Sequence, residues 1–522
     1  MSLRNYDETH CLSTQIRLRK AYMSTVSSLA YAQYQSANPE NTFNDKLIFW
    51  RGEDDAVGYL EDVFKALEVV PGITFNGIEV EKDESKIPAD LLHNDIELNR
   101  MELARVKFRL EMQDIVEDIT LCIFLPKLVD NFFYHLNGSI YYPILQLVDR
   151  GTYVTRKTFT LKTLLMPLIF RRDVFTTTTD MISGEEYTDM VYMLDLFRNR
   201  INILRYFFAN RGLNETMKYF GMDEHIIIAE KADVENLNPA EYRVHEIRGS
   251  TGLCIVADKD WLAADEIETE ERSAVSFYRT TMIATLVDAL DGMQRKYILE
   301  DEVTQWRRRL GRFFTQNSNG FEEKAEKILV SLERILDRRT RKNLAHVHDS
   351  DKVDVYSILR WMMRDYRTLI QADGMDVRNK RIRVAEYLIH PLLLKFSEST
   401  YRLLNSKNLT FRGLRAMFRP FIYEEGSASR PQANFLVNKL VSNVLLRYSN
   451  MVNSFDLIPA LRWTTRGPQS MAERGRADVS LRYRGHHPSY VGRVSLVAAS
   501  AGDPGTSGTL VPYCPTQGQF FL

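Results

Sequence analysis

The sequence predicts a mixed α+β protein of several domains, richer in helix than in strand. Three observations lead there. At 522 residues the chain is well past the length over which a single hydrophobic core keeps growing. Hydrophobic residues make up 44% and charged residues 26%, the balance of a folded chain rather than a disordered one. Along the chain, runs with the two-residue alternation of strands are interleaved with longer runs of helical period.

In chain order, residues 47–50 are apolar, and residues 72–80 alternate like a half-buried strand bounded by glycines. Ile96, Leu98, Met101, Leu103, Val106 and Leu110 recur at helical spacing, which predicts a helix over residues 95–113. From 115 to 170 the pattern turns to strand, at 121–125, 140–142 and 153–155. Residues 187–209 and 275–293 read as amphipathic helices, with short strands between them at 226–230 and 252–257. The stretch 300–344 is charge-rich and helical, with a break at 317–320. Its arginines, Arg307 to Arg309 and Arg338, Arg339 and Arg341, read as a solvated helix face partnered by Glu322, Glu323, Glu326 and Glu333.

Several chemistries find no footing. Cys11, Cys122, Cys254 and Cys514 stand apart, with no CxxC pair, which argues for incidental or buried thiols in a reducing compartment. No secretory signal is visible, and the most apolar stretch, 121–148, is broken by Lys127, Asp130, His135 and Asn137, so it reads as core rather than membrane span. There is no Walker-type phosphate loop and no internal repeat. His346, His348, Asp349, Asp351 and Asp354 invite a metal-nuclease reading. A calcium loop opening at Asp349 would need a bidentate Glu at its twelfth position, where Arg360 stands. An acid ahead of the apolar run 355–369 is better read as a helix N-cap.

The net charge of −1 conceals a division. From Arg341 onward there are 26 Lys+Arg against 14 Asp+Glu, a net of +12, whereas the preceding 340 residues carry a net of −13. Such a basic third suits a polyanion, nucleic acid above all; two domains neutralising one another is the alternative.

Three blocks lie in that third. The first, Asp376-Val-Arg378-Asn379-Lys380-Arg381-Ile-Arg383-Val-Ala-Glu386-Tyr-Leu388, follows one helix and opens another. It reads as a loop with four cations over six residues at a helix N-terminus, a phosphate clamp. The second is Leu461-Arg462-Trp463 with Arg466 and Pro468. The third is His487-Pro488-Ser489-Tyr490-Val491-Gly492-Arg493-Val494, followed by a Gly/Pro-rich turn with Gly502, Asp503, Pro504, Gly505 and Gly508, whose amides suit phosphate or a neighbouring loop.

In order and spacing these blocks resemble the N-terminal part of the β-type subunits of multisubunit DNA-directed RNA polymerases. The first is similar to D-x-x-x-N-R/K-R-x-R-x-x-x-E-x-L, with one residue fewer between Asp and Asn. The second is similar to the fork segment, with Trp463 where the second arginine stands, and the third to H-P-x-x-Y-G-R-V. The resemblance covers residues 342–510. It implies a protrusion, lobe and fork architecture: 1–120 and 341–450 as two parts of a discontinuous protrusion, 121–340 as the lobe, 451–522 as the fork region. Arg378, Asn379, Lys380, Arg381, Arg383, Arg462, Arg466, Arg474, Arg476, Arg484 and Arg493 would meet nucleic acid. Glu386, His487, Pro488, Gly492, Gly502, Pro504, Gly505 and Gly508 would set shape.

The aspartate triad of these enzymes, N-A-D-F-D-G-D, does not occur in this sequence, nor does the N-M-Q-R-Q segment of the β C-terminal half. The resemblance therefore implies no catalytic residue and no metal ligand here, with Mg2+ belonging to the assembled enzyme. It looks like the split β subunits of giant (jumbo) bacteriophages. Partners would be a β C-terminal fragment, β′-type fragments, DNA template and RNA transcript, with room for a promoter-specificity factor and no membrane. The setting would be the cytoplasm of an infected bacterium, with carriage in the virion as the alternative. A phage nucleic-acid-binding or packaging protein is the competing reading.

The antibiotic-pocket pattern Q-F-M-D-x-x-N-P-L is not kept in the run from Tyr448 to Asp456. The assembled enzyme is accordingly expected to transcribe in the presence of rifampicin. Inhibition at ordinary doses would overturn that expectation.

Overall fold

The computed structural model describes residues 56–83, 87, 100–112, 114–129, 133–154, 158–197, 199–234, 237–249, 252–263, 270–316, 320–345, 354–371, 373, 375–383, 386–406, 409–422, 435–443, 446–448, 462–465, 485–498, 507–511, 514, 516–517 and 520–521. Helix α1 (Ala56–Ala66) comes first. Its Tyr59, Leu60, Val63 and Phe64 are buried, and their three- and four-residue spacing puts them on one face. A three-stranded antiparallel sheet follows, β1 (Ile73–Glu81), β2 (Met101–Met112) and β3 (Ile115–Pro126), in that spatial order. Gly72 has φ +90° and lies so close to the β2–β3 turn that a Cβ would stand 2.4 Å from the Glu111 carbonyl oxygen. Only glycine permits that approach.

The short strands β4 (Leu128–Val129), β5 (Phe133–Leu136) and β6 (Ser139–Pro143) form a second sheet, and β7 (Leu145–Asp149) leads away from it. Strands β8 (Thr152–Val154), β9 (Thr158–Lys162), β10 (Pro167–Thr179), β11 (Glu186–Leu196) and β12 (Asn199–Asn202) build a five-stranded antiparallel meander. Asn202 then caps α2 (Ile203–Arg211), its side chain accepting from the Leu204 N–H, and α3 (Leu213–Phe220) follows. A three-stranded sheet holds β13 (Ile226–Glu230), β14 (Tyr242–Glu246) and β15 (Leu253–Asp258), with α4 (Lys231–Val234) and α5 (Lys259–Ala263) beside it. Helices α6 (Glu270–Leu290), α7 (Arg295–Glu300), α8 (Val303–Gly311), α9 (Phe321–Glu333) and α10 (Arg338–Ala345) complete this half.

Asp354 caps α11 (Val355–Arg364), its carboxylate accepting from the Ser357 N–H at 2.6 Å, as the N-cap reading expects. After α12 (Tyr366–Gln371) come β16 (Lys380–Arg383), α13 (Glu386–Asn405), α14 (Phe411–Phe418), α15 (Phe435–Val441), β17 (Leu446–Tyr448), β18 (Trp463–Thr465), β19 (Ser507–Thr509), β20 (Thr516–Gln517) and β21 (Phe520–Phe521). α13 packs back on α1, α14 on β2, and α15 on β3. Phe64 meets Phe108 and Phe396 at ring-centre distances of 5.4 and 5.3 Å, and Phe108 meets Phe418 at 4.9 Å. The Cys122 N–H donates to the Phe421 carbonyl. Residues from 59 to 125 thus share one core with residues from 389 to 446.

Two helix expectations are corrected. Residues 101–112 form a strand, because from Val106 to Glu111 buried Val, Phe and Leu alternate with Lys, Arg and Glu at a period of two. That alternation pairs along both β1 and β3. Likewise 186–196 and 199–202 are strands, the first paired to β10 from Glu186 to Asp195, and only 203–211 is helical. The expected strands at 72–80, 121–125, 140–142, 226–230 and 252–257 and the helix at 275–293 are present to within a few residues, as is the start of the strand expected at 153–155, in β8. The divisions expected after 120 and 340 fall inside β3 and α10. Residues 47–50, 95–99 and 346–351 lie outside the described residues.

The arginine clusters are less solvated than expected. Arg308 does pair with Glu322. Arg307 and Arg309, however, donate to the carbonyls of Ala209 and Gly292, and Arg339 turns inward to Asp62 at 3.0 Å and onto the Tyr59 ring. Burial, reinforced by neighbouring Arg205 and Arg312, pushes the Arg309 pKa down to about 10. Cys122, Cys254 and Cys514 are buried free thiols, as the sequence suggests. Among the described residues no helix is long and apolar enough to cross a membrane.

His245 on β14 is wholly buried, edge-on to Tyr187, and neither ring nitrogen has a hydrogen-bond partner among the described residues. Burial, then the charge of Arg243, pushes its pKa down to about 4, with Asp180 acting the other way. An unfolded histidine takes up its proton near pH 6.5, so the folded state loses stability as pH falls from about 6.5 toward 4, by up to about 1.4 kcal/mol per pH unit. Melting curves of a His245→Phe variant should be flatter than the parent's across that window. Parallel curves would show that His245 does not titrate with unfolding.

Candidate functional site

The three basic blocks, spread over more than a hundred residues of sequence, meet at one six-stranded sheet ordered β19-β18-β7-β16-β21-β20, the first two contributing strands and the third folding beside it. β16 from the first block runs antiparallel to β7, in the register Lys380↔Asp149, Arg381↔Val148, Ile382↔Leu147, Arg383↔Gln146. β18 from the second block lies parallel to the other edge of β7 and carries β19, which follows the third block. The third block folds as a 3-10 turn, Pro488–Tyr490, with Pro488 at its start. It is bonded onward through the Ser495 N–H to Thr509 and through a bridge between Val494 and Leu510.

Alternation gives this sheet two unlike faces. Leu145, Leu147 and Ile382 join Met375, Val377, Tyr490, Val494, Leu510, Cys514 and Phe521 in a separate apolar core. Arg381 and Arg383 point the opposite way, and the Arg383 Nε donates to the Gln146 side chain at 2.6 Å. Lys380 pairs with Asp149, both largely buried. Burial pushes the Asp149 carboxyl up, while Lys380 pulls it down.

A polar relay ties the first block to the third. The Val377 N–H donates to Ser489 Oγ at 2.9 Å, Ser489 Oγ lies 2.7 Å from His487 Nδ1, and the Ser489 N–H donates to that nitrogen. Nδ1 is thus an acceptor, which leaves Nε2 to face Asp373 Oδ2 at 3.2 Å. Asp376 accepts from the Arg378 backbone and guanidinium. Burial opposes its charge, but these bonds, with one from Ser489, hold its carboxyl below the ordinary value. Arg493 donates to the Ser489 carbonyl, and Gly492 takes φ +73° so that the chain can turn.

The loop expected over residues 378–383 is corrected by this geometry. Residues 380–383 form a strand, and Lys380, Arg381 and Arg383 are 5, 7 and 4% exposed; Asp149 on β7 pairs with Lys380, and Gln146 accepts from Arg383. Arg378, on a turn, is 68% exposed at its side chain, and neighbouring Asn379 is exposed and donates to the Asp373 carbonyl. Glu386 opens α13 as expected. Arg462 is half-buried beside β18 and donates to Leu510, while the Gly508 carbonyl on β19 accepts from Thr464. His487, Pro488, Gly492 and Arg493 lie together on the turn. Arg466, Arg474, Arg476, Arg484, Gly502, Pro504 and Gly505 lie outside the described residues. The sequence reading missed Gln146 and Asp149; a Gln and an Asp inside the apolar run 144–149 were the signal available.

These features define a multidomain α+β protein whose basic third is organised by one sheet. The chain belongs to the family described as non-virion RNA polymerase subunit, whose model matches residues 26–521. It is therefore a subunit of a phage-type multisubunit RNA polymerase, with other polymerase subunits as partners and a role in transcription within the infected host. No curated protein matches the chain.

Removing one member of a buried ion pair leaves the other charge uncompensated. Asp149→Ala should lower the stability of the chain by about 3–5 kcal/mol, and Asp149→Leu with Lys380→Met should recover most of the loss. Equal denaturation midpoints for all three chains would show that the pair does not hold the strands together.

Proposed function

We propose that this chain is the β-type N-terminal half of the polymerase and forms one wall of the cleft that holds DNA and the RNA–DNA hybrid. The observation that carries this reading is the convergence of the three β-like blocks on a single sheet, in contact through Ser489 and the β18–β19 pair. The packing of residues 56–126 against 386–446, around the intervening sheets and helices, supports a discontinuous protrusion-like unit with a lobe-like insertion and a fork-like region beyond it.

On this reading Arg378, Asn379, Arg462 and Arg493 meet the nucleic-acid backbone, together with Arg466, Arg474, Arg476 and Arg484. Lys380, Arg381 and Arg383 hold the wall in shape from inside. Nucleotidyl transfer and its Mg2+ belong to β′-type partners, and a β C-terminal fragment completes the wall.

The test uses the co-expressed, assembled enzyme carrying Arg378→Gln and Arg493→Gln. Elongation on a DNA template should fail at lower salt than in the parent. The log–log salt slope of template binding should fall by roughly 0.9 for each phosphate that is no longer neutralised. An unchanged slope and unchanged elongation, or a chain that co-purifies with no β C-terminal or β′-type fragment, would count against the assignment.

A further inference from the structure

At the C-terminal end of α6, four arginines from three parts of the chain gather around one turn. Arg205 stands on α2, Arg309 on α8, Arg312 just beyond α8, and Arg248 just beyond β14. Gly249 brings that last loop in: at φ +80° it lies so near the turn that a Cβ would stand 3.1 Å from the Gly292 Cα. The Arg248 N–H donates to Asp291 Oδ1 at 3.1 Å, and its carbonyl accepts from the Gly292 N–H at 2.8 Å.

Among the described residues none of these four side chains is in an ion pair, and their hydrogen bonds go to backbone carbonyls. Arg205 donates to Asp288 at 2.8 Å, Arg248 to Thr177 at 3.1 Å, and Arg309 to Gly292 at 3.0 Å and to Asp291. Arg312 lies over the Phe321 ring at 5.7 Å. The Nε atoms of Arg205 and Arg309 are buried with no acceptor among the described residues. The carbonyl end of a helix favours cations, which accounts for Arg205 and Arg309. A carbonyl satisfies a donor without cancelling its charge, however, and two carboxylates, Asp288 and Asp291, act on Arg309. Asp288 accepts from the Asn202 side chain and Asp291 from the Arg248 amide. Burial first, then the charges of Arg205 and Arg312, hold Arg309 below the ordinary arginine value against the pull of both acids. Beside Arg312, Phe313 is 41% exposed, with the Arg205 guanidinium 5.1 Å from its ring centre.

We propose that this patch binds an unpaired nucleic-acid strand, with phosphates on Arg248 and Arg312 and a base against Phe313. Phosphate oxygens neutralise guanidinium groups that carbonyls leave charged, and accept from more than one of them at a time. A ring set among cations suits a single strand, because a base stacks on a side chain only once it is out of the duplex. The patch lies in the acidic first 340 residues, outside the three basic blocks, and does not depend on the β-type assignment.

The test is fluorescence anisotropy of the full-length chain with labelled oligothymidylate and oligouridylate over a salt series. Every chain carries Arg378→Gln and Arg493→Gln, so that binding through the basic third is reduced alike in all of them. Arg248→Gln with Arg312→Gln should lower the log–log salt slope by roughly 0.7 for each phosphate released. Phe313→Leu should weaken binding about fivefold or more at an unchanged slope, and Phe313→Tyr should restore it. Thermal melts identify any chain that has lost its fold, and the remaining substitutions then decide. An unchanged slope in the arginine variant, unchanged affinity in Phe313→Leu, or a duplex bound as tightly as the strand would overturn the proposal. Tighter binding of oligothymidylate marks the ligand as a DNA strand, and of oligouridylate as RNA.

Discussion

Residues 145–149 and 380–383 pair as neighbouring antiparallel strands, with Lys380 set against Asp149 and Arg383 against Gln146. Most of what is specific about the basic third follows from that pairing. Because side chains alternate across a sheet, a slip of one residue would turn Arg381 and Arg383 into the apolar core and bring Ile382 out of it. The polar partners on β7 therefore do more than neutralise charge. They specify a register that the apolar residues alone would define less sharply, since Leu145, Leu147 and Ile382 could meet in more than one alignment.

Around this pair the other segments arrive in turn. β18 uses the free edge of β7, β21 uses the free edge of β16, and the Pro488–Tyr490 turn closes over Val377 through Ser489. His487 acts here as a positioning residue: one ring nitrogen receives the turn's own amide, and the other faces Asp373. The apolar face is sealed by Tyr490 and Val494 from the third block, by Leu510 just after β19 and by Phe521 on β21, short segments with little regular structure of their own. Such segments are ordered by what they cover rather than by local propensity.

Much of the fold was legible in the sequence wherever one periodicity dominated: β1, β13, β15 and α6 fall close to their expected places. Failures came where two periods fitted the same residues. Residues 101–112 have apolar positions that satisfy helical spacing, yet the charges at 107, 109 and 111 fall on the strand period, and pairing with two neighbours decided the matter. The basic blocks come together in space, but a run of four cations gave no hint that Lys380, Arg381 and Arg383 are buried. That depended on Asp149 and Gln146, more than two hundred residues earlier, and a long-range partner leaves no local trace.

The ion pair that closes the central sheet joins positions 231 residues apart. The entropy of closing a chain loop rises only with the logarithm of its length, about 0.6 kcal/mol for each doubling. The meander, the β13–β15 sheet and the helices that fill the interval therefore add little to the cost of bringing the two strands together. That interval is free to lengthen, shorten or change its decoration over evolution while the sheet it interrupts stays the same.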